Sequence, residues 1–463
     1  MNFWIIVSHV ALAAAVVLSV LLITRADSEQ RSPSATLAWL LLIIFIPYLG
    51  IPLYLLFGGR KMRKVLRTKA EIRQAPRISA LPEDMYPLEK LFRNTDLPGV
   101  TVGNCMKLSH TGEEAFYDLV GLIRRAEKSI YITTFIYSRD AVGTRIMQEL
   151  AARAREGVDV RINMDAMGSL YTRRRFFRPL IEAGGQVTYF LPVLPLPFRR
   201  YSHLRNHRKV VVVDNRWAMS GGMNIGSEYL GPTPEPHRWL DLAFVVEGPA
   251  ARDFAEVFRA DWEFAGGEKV EPPGEEPAPC KGTYPGAVVQ VLPSGPDVPG
   301  DFLYETLLSL LFWADERVWI VTPYFVPNEA LARAIHIAAR RGVDVRLIMP
   351  EKSNHPVMDV ARRQFLRDLQ QAGGKVYYYL GGMMHAKAIL VDNEVAVMGS
   401  ANVDMRSLLL NFEVMVLAYS PSEIRATEQW IEGMDLKPRP MDEKVGRIQD
   451  FAEGLVRMIA PIL

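Results

Sequence analysis

Only two cysteines, Cys105 and Cys280, and eight histidines occur in the 463 residues of this chain. Two cysteines fit neither a disulfide framework nor a zinc site, so they read as ordinary reduced thiols. No cluster of side chains has metal-ligand spacing, so neither a metal nor a cofactor is expected. An excess of one charge is also missing: 54 basic against 52 acidic residues leave a net +2, which argues against a general nucleic-acid binder. Apolar residues are plentiful at 49%, and the surplus sits in the first 57 positions. The length exceeds the usual size of one core and implies at least two domains.

Residues 3–24 form an apolar run long enough to cross a hydrocarbon core, and residues 37–57 form a second after a short polar turn. Residues 1–58 are therefore expected to be a two-helix transmembrane hairpin. A cleaved signal peptide is disfavoured, since no basic region precedes the first run and a second run follows at once. Arg60, Lys61, Arg63, Lys64, Arg67 and Lys69 crowd behind the hairpin. By the positive-inside rule they put the rest of the chain in the cytoplasm, and they are suited to anionic headgroups. An apolar, proline-rich run, Phe190 to Phe198, followed by Arg199 and Arg200, reads either as an interfacial segment or as a buried lid.

From Glu113 onward strands and helices alternate, and the pattern restarts after a stretch rich in Pro, Gly and Glu, residues 266–286. Ala126 to Thr133 leads through a helix to Gly157-Val-Asp-Val-Arg161. Ala314 to Thr322 leads likewise to Gly342-Val-Asp-Val-Arg346. The two halves form an internal duplication. Val210 to Val213 and Ala388 to Val391 lack alternation, as expected of strands covered on both faces. The expected fold class is α/β, with two α/β/α sandwiches related by pseudo-two-fold symmetry. Their bounds are 113–265 and 287–463, the latter ending in a helix from Val445. Residues 59–112 are a basic juxtamembrane and linker segment.

One string occurs twice with identical spacing. His207, Lys209 and Asp214 precede Gly221, Gly222 and Asn224; His385, Lys387 and Asp392 precede Gly399, Ser400 and Asn402. These motif residues are the catalytic candidates, with Asn224 and Asn402 as substrate-binding candidates. Residues two apart on a strand share a face, so each histidine and its lysine can converge on one phosphate. Each aspartate follows its histidine by seven positions, an odd number, so within the set Asp214 and Asp392 are inferred to support the local fold. Another carboxylate must then hold each imidazole's tautomer, and Asp241 and Glu413, next along the chain after each motif, are the candidates.

These paired strings resemble the phospholipase D superfamily. Arg31 to Trp39, Pro47-Tyr-Leu-Gly50, Leu56-Phe-Gly-Gly59, Pro293-Ser-Gly-Pro296, Thr322-Pro-Tyr-Phe-Val-Pro327 and Asn402-Val-Asp-Met-Arg-Ser407 resemble its bacterial cardiolipin synthases, so the likeness covers essentially the whole chain. The resemblance implies that one of His207 and His385 attacks phosphorus to give a phosphohistidine while the other protonates the leaving alkoxide. It leans toward His207 as the nucleophile. It also implies that Lys209, Lys387, Asn224 and Asn402 hold the non-bridging oxygens without a metal. The implied reaction is transphosphatidylation, with phosphatidylglycerol as donor and acceptor and with cardiolipin and glycerol as products, in a multi-pass protein of the bacterial inner membrane. Leu240 stands where such synthases commonly carry arginine, which puts a secondary contact in doubt.

Three other readings compete. A membrane-bound phospholipase D would give the phosphatidyl group to water and release phosphatidic acid. A nuclease is disfavoured by the hairpin and the near-neutral charge, and an inactive membrane scaffold by two intact motifs. Composition and motifs do not give the oligomeric state.

Overall fold

The computed structural model describes residues 3–26, 33–57, 69, 88, 91–92, 97–191, 204–272, 277–281, 285–298, 300–440, 446 and 453. Two compact units emerge: Met1–Thr68 with Leu191–Leu204, and Lys69–Phe190 with Arg205–Leu463. The proline-rich run beyond Leu191, most of the basic cluster and nearly all of the C-terminal stretch from Val445 lie outside the described residues.

The smaller unit holds α1 (Phe3–Ala26), α2 (Pro33–Phe45) and α3 (Pro47–Phe57). The second apolar run is divided because Pro47 has no N–H to give to the preceding turn. At Gly50 an added Cβ would come within 2.4 Å of the Leu42 carbonyl oxygen, so the bend tolerates no side chain there. Ala15, Ile43 and Tyr54 are buried together, and Trp39 packs edge-on against Tyr54 at 5.5 Å between ring centroids. Val16, Val17, Ile44, Phe45 and Leu49 are exposed, the reverse of a water-soluble bundle. Among the described residues no helix is both long and apolar enough to cross a membrane.

In the larger unit the first half supplies β1 (Thr101–Ser109), α4 (Gly112–Arg125), β2 (Ser129–Thr134), α5 (Ala141–Arg155), β3 (Asp159–Asp165), α6 (Arg178–Glu182), β4 (Gln186–Phe190), β5 (Val210–Val213), β6 (Trp217–Gly221), β7 (Ala243–Glu247) and α7 (Ala250–Phe264). The second supplies β8 (Pro285–Ser294), α8 (Phe302–Trp313), β9 (Arg317–Val321), β10 (Phe325–Val326), α9 (Glu329–Arg340), β11 (Asp344–Pro350), α10 (Pro356–Gln371) and β12 (Lys375–Tyr379). It continues with β13 (Ala388–Val391), β14 (Val395–Gly399), β15 (Val403–Asp404), α11 (Met405–Leu409), β16 (Glu413–Ala418), α12 (Pro421–Glu432) and β17 (Leu436–Pro438). Helices begin where a side chain can take an orphan N–H: Thr111 accepts from Glu114, Asp140 from Gly143 and Asn328 from Leu331.

Fifteen described strands form one sheet in the order β17-β12-β11-β9-β13-β14-β16-β8-β1-β7-β6-β5-β2-β3-β4. Read outward from the central β8–β1 pair, the two sides repeat each other, so the duplication is visible in the topology. The halves are more intimately joined than side-by-side packing implies, because β1 and β8 pair antiparallel and fuse the two sheets. β1 itself lies in the stretch expected to be linker. Both faces are covered: Val211 and Val213 of β5 enter one core while Val210 and Val212 enter another. In β13, Ile389 and Val391 divide from Ala388 and Leu390 in the same way.

One expectation is overturned. Cys105 and Cys280 form a disulfide, with 5.6 Å between their Cα atoms, rather than two reduced thiols. Their separation of 175 residues hid the pairing, which arises because the stretch before β8 returns to β1; the Cys280 N–H donates to the Gly103 carbonyl at 2.8 Å.

Candidate active site

His207 and Lys209 stand on the extended segment that feeds β5, and His385 and Lys387 on the one that feeds β13, not within the strands themselves. Backbone bridges to the opposite half hold both segments. The His207 N–H donates to the Phe412 carbonyl at 2.9 Å, and the Phe412 N–H to that of Arg205 at 2.9 Å. In the mirror arrangement, the His385 N–H donates to Leu240 at 2.7 Å and the Leu240 N–H to Met383 at 2.9 Å. Leu240 therefore serves through its backbone, while its side chain packs against a buried apolar cluster.

This exchange decides which acid meets which imidazole. Glu413 Oε2 lies 3.0 Å from His207 Nδ1, and Asp241 Oδ2 lies 2.7 Å from His385 Nδ1. Each acid serves the histidine of the other half. With Nδ1–H donated to a carboxylate, Nε2 is left with its lone pair for attack or proton transfer.

The surrounding glycines and Ser400 fit the two acids differently. A Cβ at Gly222 would sit 2.1 Å from Asp241 Oδ1, so glycine makes room for that carboxylate. At the equivalent place Ser400 instead donates its hydroxyl to Glu413 Oε2 at 2.5 Å. Asn411 adds a longer bond to the other Glu413 oxygen at 3.3 Å.

Lys209 Nζ donates to the His207 carbonyl at 2.6 Å, and Lys387 Nζ bonds the His385 carbonyl and lies 2.9 Å from His385 Nδ1. Nδ1 cannot donate to Asp241 and accept from Lys387 at once; the buried carboxylate, which can only accept, fixes the proton on Nδ1. Burial lowers Lys209 to about 7 and Lys387 to about 8, against the pull of Glu413 and Asp241. Burial together with Lys387 takes His385 down to about 3, and burial also holds His207 below the ordinary histidine range despite Glu413. Burial alone would raise the acids, but the neighbouring lysines and histidines hold Asp241 and Glu413 below the usual carboxylate range. Lys387 contributes to the shift at His207, and Lys209 to that at His385, so both motifs act in one electrostatic neighbourhood. Both imidazoles are thus biased toward the neutral form in the free protein.

Asn224 and Asn402 are buried beside this cluster. Asn224 Oδ1 accepts from the Ile136 N–H at 3.1 Å. The Asn402 amide reaches Ser407 Oγ at 3.3 Å, and its Oδ1 has no partner among the described residues. Turned by 180°, that amide would present its NH2 instead, a donor suited to a phosphate oxygen.

Asp214 and Asp392 are removed from the catalytic set. Asp214 follows the far end of β5 and accepts from the N–H groups of Glu127, Lys128 and Ser129 at 2.7–2.9 Å. Asp392 does the same for Asp315, Glu316 and Arg317 at 2.8–3.0 Å. Both sit at positive φ, +53° and +48°, in tight turns. The parity argument reached the same supporting role from an unbroken strand, whereas the histidine and the aspartate of each motif both lie outside β5 or β13.

Several residues of the site carried no sequence signal strong enough to find them. Arg208, between His207 and Lys209, is fully buried and pairs with Asp261 at 2.7 Å and Asp297 at 3.0 Å. Its guanidinium also donates to the carbonyls of Glu413 and Ser294. Lys69 joins the same two aspartates with its side chain fully buried, so this member of the basic cluster does not face lipid as expected. Two cations and two anions thereby lock the first motif to both halves. Phe135 packs edge-on to His207 at 5.0 Å, and Tyr229 and Trp239 lie 5.4 and 5.6 Å from His385.

Comparison with known proteins fits this geometry. The family model described as cardiolipin synthase, PLD-like domain matches residues 119–262 and 307–434. A second, phospholipase D-nuclease N-terminal, matches residues 11–59. This chain belongs to the cardiolipin synthase family. Among relatives of the family, cardiolipin synthase 1 of Bacillus cereus is 30% identical, over 94% of this chain and 90% of its own length. Major cardiolipin synthase ClsA of Bacillus subtilis is 34% identical over 89% and 90%, and cardiolipin synthase A of Pseudomonas aeruginosa 34% over 94% and 91%. In fold the chain is similar to phosphatidylserine synthase of Haemophilus influenzae, with a TM-score of 0.61 at 16% identity, over 81% of this chain and all of that one.

Proposed function

We propose that this cardiolipin synthase family member joins two phosphatidylglycerol molecules into cardiolipin and glycerol through one site built by both halves. The crossed pairs, His207 with Glu413 and His385 with Asp241, carry the reading, because neither half alone holds a complete histidine–acid pair. One imidazole, His207 by family likeness, attacks the donor phosphorus through Nε2. A P–N bond forms as the bond to the glycerol oxygen breaks, and the other imidazole gives that oxygen a proton. The anionic phosphodiester raises the proton affinity of that second imidazole, which is biased toward the neutral form in the free protein. The same imidazole then takes the proton from the acceptor's terminal hydroxyl, which attacks phosphorus and releases His207. Lys209, Lys387, Asn224 and Asn402 offset the charge on the non-bridging oxygens.

We take 113–265 and 287–463 as the two phospholipase D-type domains, with β1 (Thr101–Ser109) added to the first and the start of β8 at Pro285 to the second. Residues 1–58 are proposed as a hairpin in the bacterial inner membrane, supported by the apolar outward face of α1 to α3. A cytoplasmic catalytic unit follows from the basic cluster, whereas the disulfide favours an oxidising side. Protease protection in spheroplasts decides between them.

Incubation of the purified chain with phosphatidylglycerol in detergent micelles should yield cardiolipin with stoichiometric glycerol. Phosphatidic acid as the sole lipid product would make the chain a hydrolase. His207→Ala and His385→Ala should each cut turnover by several orders of magnitude.

A further inference from the structure

The loop that follows β3 inverts the ordinary rule for a surface loop. Its polar residues face inward: Ser169 and Thr172 are buried. Ser169 Oγ accepts from the Tyr137 N–H at 3.0 Å and donates to the Phe135 carbonyl at 3.1 Å. Thr172 Oγ1 donates to the Tyr137 carbonyl at 2.5 Å. Asp165 ties down the start of the loop, accepting from Met167 and Gly168 at 2.9 and 3.0 Å. Its apolar residues face outward. Met167 is 43% exposed, Leu170 45% and Tyr171 85%. Such fixed apolar projections on the surface call for a partner.

Charge and position say which partner. From Ala166 to Ile181 the chain carries four arginines and no acid. Arg178 pairs with Glu182, while Arg173, Arg174 and Arg175 are exposed just behind the apolar tip. The loop also borders the catalytic cluster: Phe135, which it holds, packs on His207, and Asp165 accepts from the Asn206 N–H at 2.9 Å. We infer that residues 167–175 are an interfacial foot, with Met167, Leu170 and Tyr171 entering an anionic phospholipid bilayer and Arg173, Arg174 and Arg175 on its phosphates. An acidic protein would match the arginines but leave the three apolar side chains in water, whereas a bilayer takes both. The inference rests on a lipid substrate, which the foot would bring to the crossed histidines.

The test uses the full chain reconstituted in vesicles, with a spin label at Tyr171→Cys, the native cysteines being bonded to each other. In phosphatidylglycerol vesicles the label should gain oxygen accessibility and lose accessibility to a water-soluble nickel chelate, relative to phosphatidylcholine vesicles. Equal exposure to water in both would overturn the foot, and so would equal shielding in both, which would mean that the chain itself covers the loop. A triple change of Met167, Leu170 and Tyr171 to serine should raise the apparent KM for vesicular phosphatidylglycerol about tenfold, with turnover of a monomeric short-chain phosphatidylglycerol within about twofold of the parent. Each Arg→Gln change at 173–175 should weaken the dependence on anionic lipid by roughly fivefold. Equal losses on vesicular and monomeric lipid would reduce the loop to a structural role and sink the proposal. A label that enters the bilayer in a protein forming no transfer product would uphold the foot and overturn the synthase reading alone.

Discussion

Glu413→Gln keeps the shape of the side chain and removes its charge, which in the crossed geometry strikes the histidine of the other half. Glu413 Oε2 holds His207 Nδ1 at 3.0 Å and the Ser400 hydroxyl at 2.5 Å, and its charge helps to balance Lys209. Losing one charge-assisted hydrogen bond costs about 1.5–3 kcal/mol, roughly ten- to a hundredfold in rate. Losing the group that fixes a catalytic tautomer costs more, about 10⁴ in turnover by analogy with serine hydrolase triads. The second effect should win, because an amide NH2 facing Nδ1 would move the ring proton to Nε2, the atom needed for chemistry. Cardiolipin formation and glycerol release should thus fall at least about a thousandfold. Imidazole 15N spectra should show the disturbance at His207, while Asp241→Asn disturbs His385. Activity within tenfold of the parent, or a Glu413→Gln effect confined to His385, would refute the crossed arrangement.

The buried lysines, the buried charge cluster and the disulfide each carry an expected outcome. Lys209 and Lys387, at about 7 and about 8, are depressed from an unfolded value near 10.4. Between those limits the unfolded chain binds more protons, so their contribution makes stability rise with pH above about 7 while affinity for the anionic headgroup falls. Lys209→Met should flatten both slopes, and a parent protein whose KM is constant from pH 6.5 to 9 would contradict the depressed values. Arg208→Met leaves Lys69 to balance both Asp261 and Asp297 and should cost about 3–5 kcal/mol in denaturant melts; adding Asp297→Leu should recover part of it, and a single-variant loss below about 1 kcal/mol would argue against a desolvated cluster. Cys105→Ser should lower the unfolding midpoint, the long closed loop being worth about 2–4 kcal/mol. Alkylation of two free thiols in acid-trapped protein would show that the bond does not form.

What the chain disclosed in advance, and what it withheld, divides along a physical line. The strands Val210–Val213 and Ala388–Val391 were legible to the residue, because an unalternating β-branched run between turns has few other homes. The supporting role of Asp214 and Asp392 was named in advance, but from a parity that assumed one unbroken strand, and the turn that seats each carboxylate on three N–H groups was not foreseen. Asp241 and Glu413 could be named as orienting acids, since a catalytic imidazole needs one, but their exchange between halves could not. That exchange depends on backbone bridges such as Leu240 to Met383, set by tertiary packing with no local signature. The same holds for Lys69, which looks like any juxtamembrane cation until Asp261 and Asp297 are brought to it. Cys105 and Cys280 were misread because chain distance is a poor guide to distance across a fused sheet.

The duplication has not left two equivalent half-sites, and the differences bear on which histidine does what. Arg208 ties the segment of His207 to a buried network of four charges, whereas the equivalent Ala386 beside His385 sits in the apolar core. Glu413 is held by Ser400 and Asn411, while Asp241 has its own backbone neighbour Leu242 as donor at 2.8 Å and the space vacated at Gly222. A nucleophile must hold one position through formation and breakdown of a P–N bond, and a proton shuttle must serve two oxygens that arrive in turn. The more firmly braced segment, that of His207, suits the first task, and His385, ringed by Tyr229 and Trp239, suits the second. Rapid quench into alkaline denaturant during turnover, which spares the acid-labile P–N bond, followed by mapping of the modified peptide, should find the adduct on His207. An adduct on His385 would reverse the roles while leaving the crossed site intact.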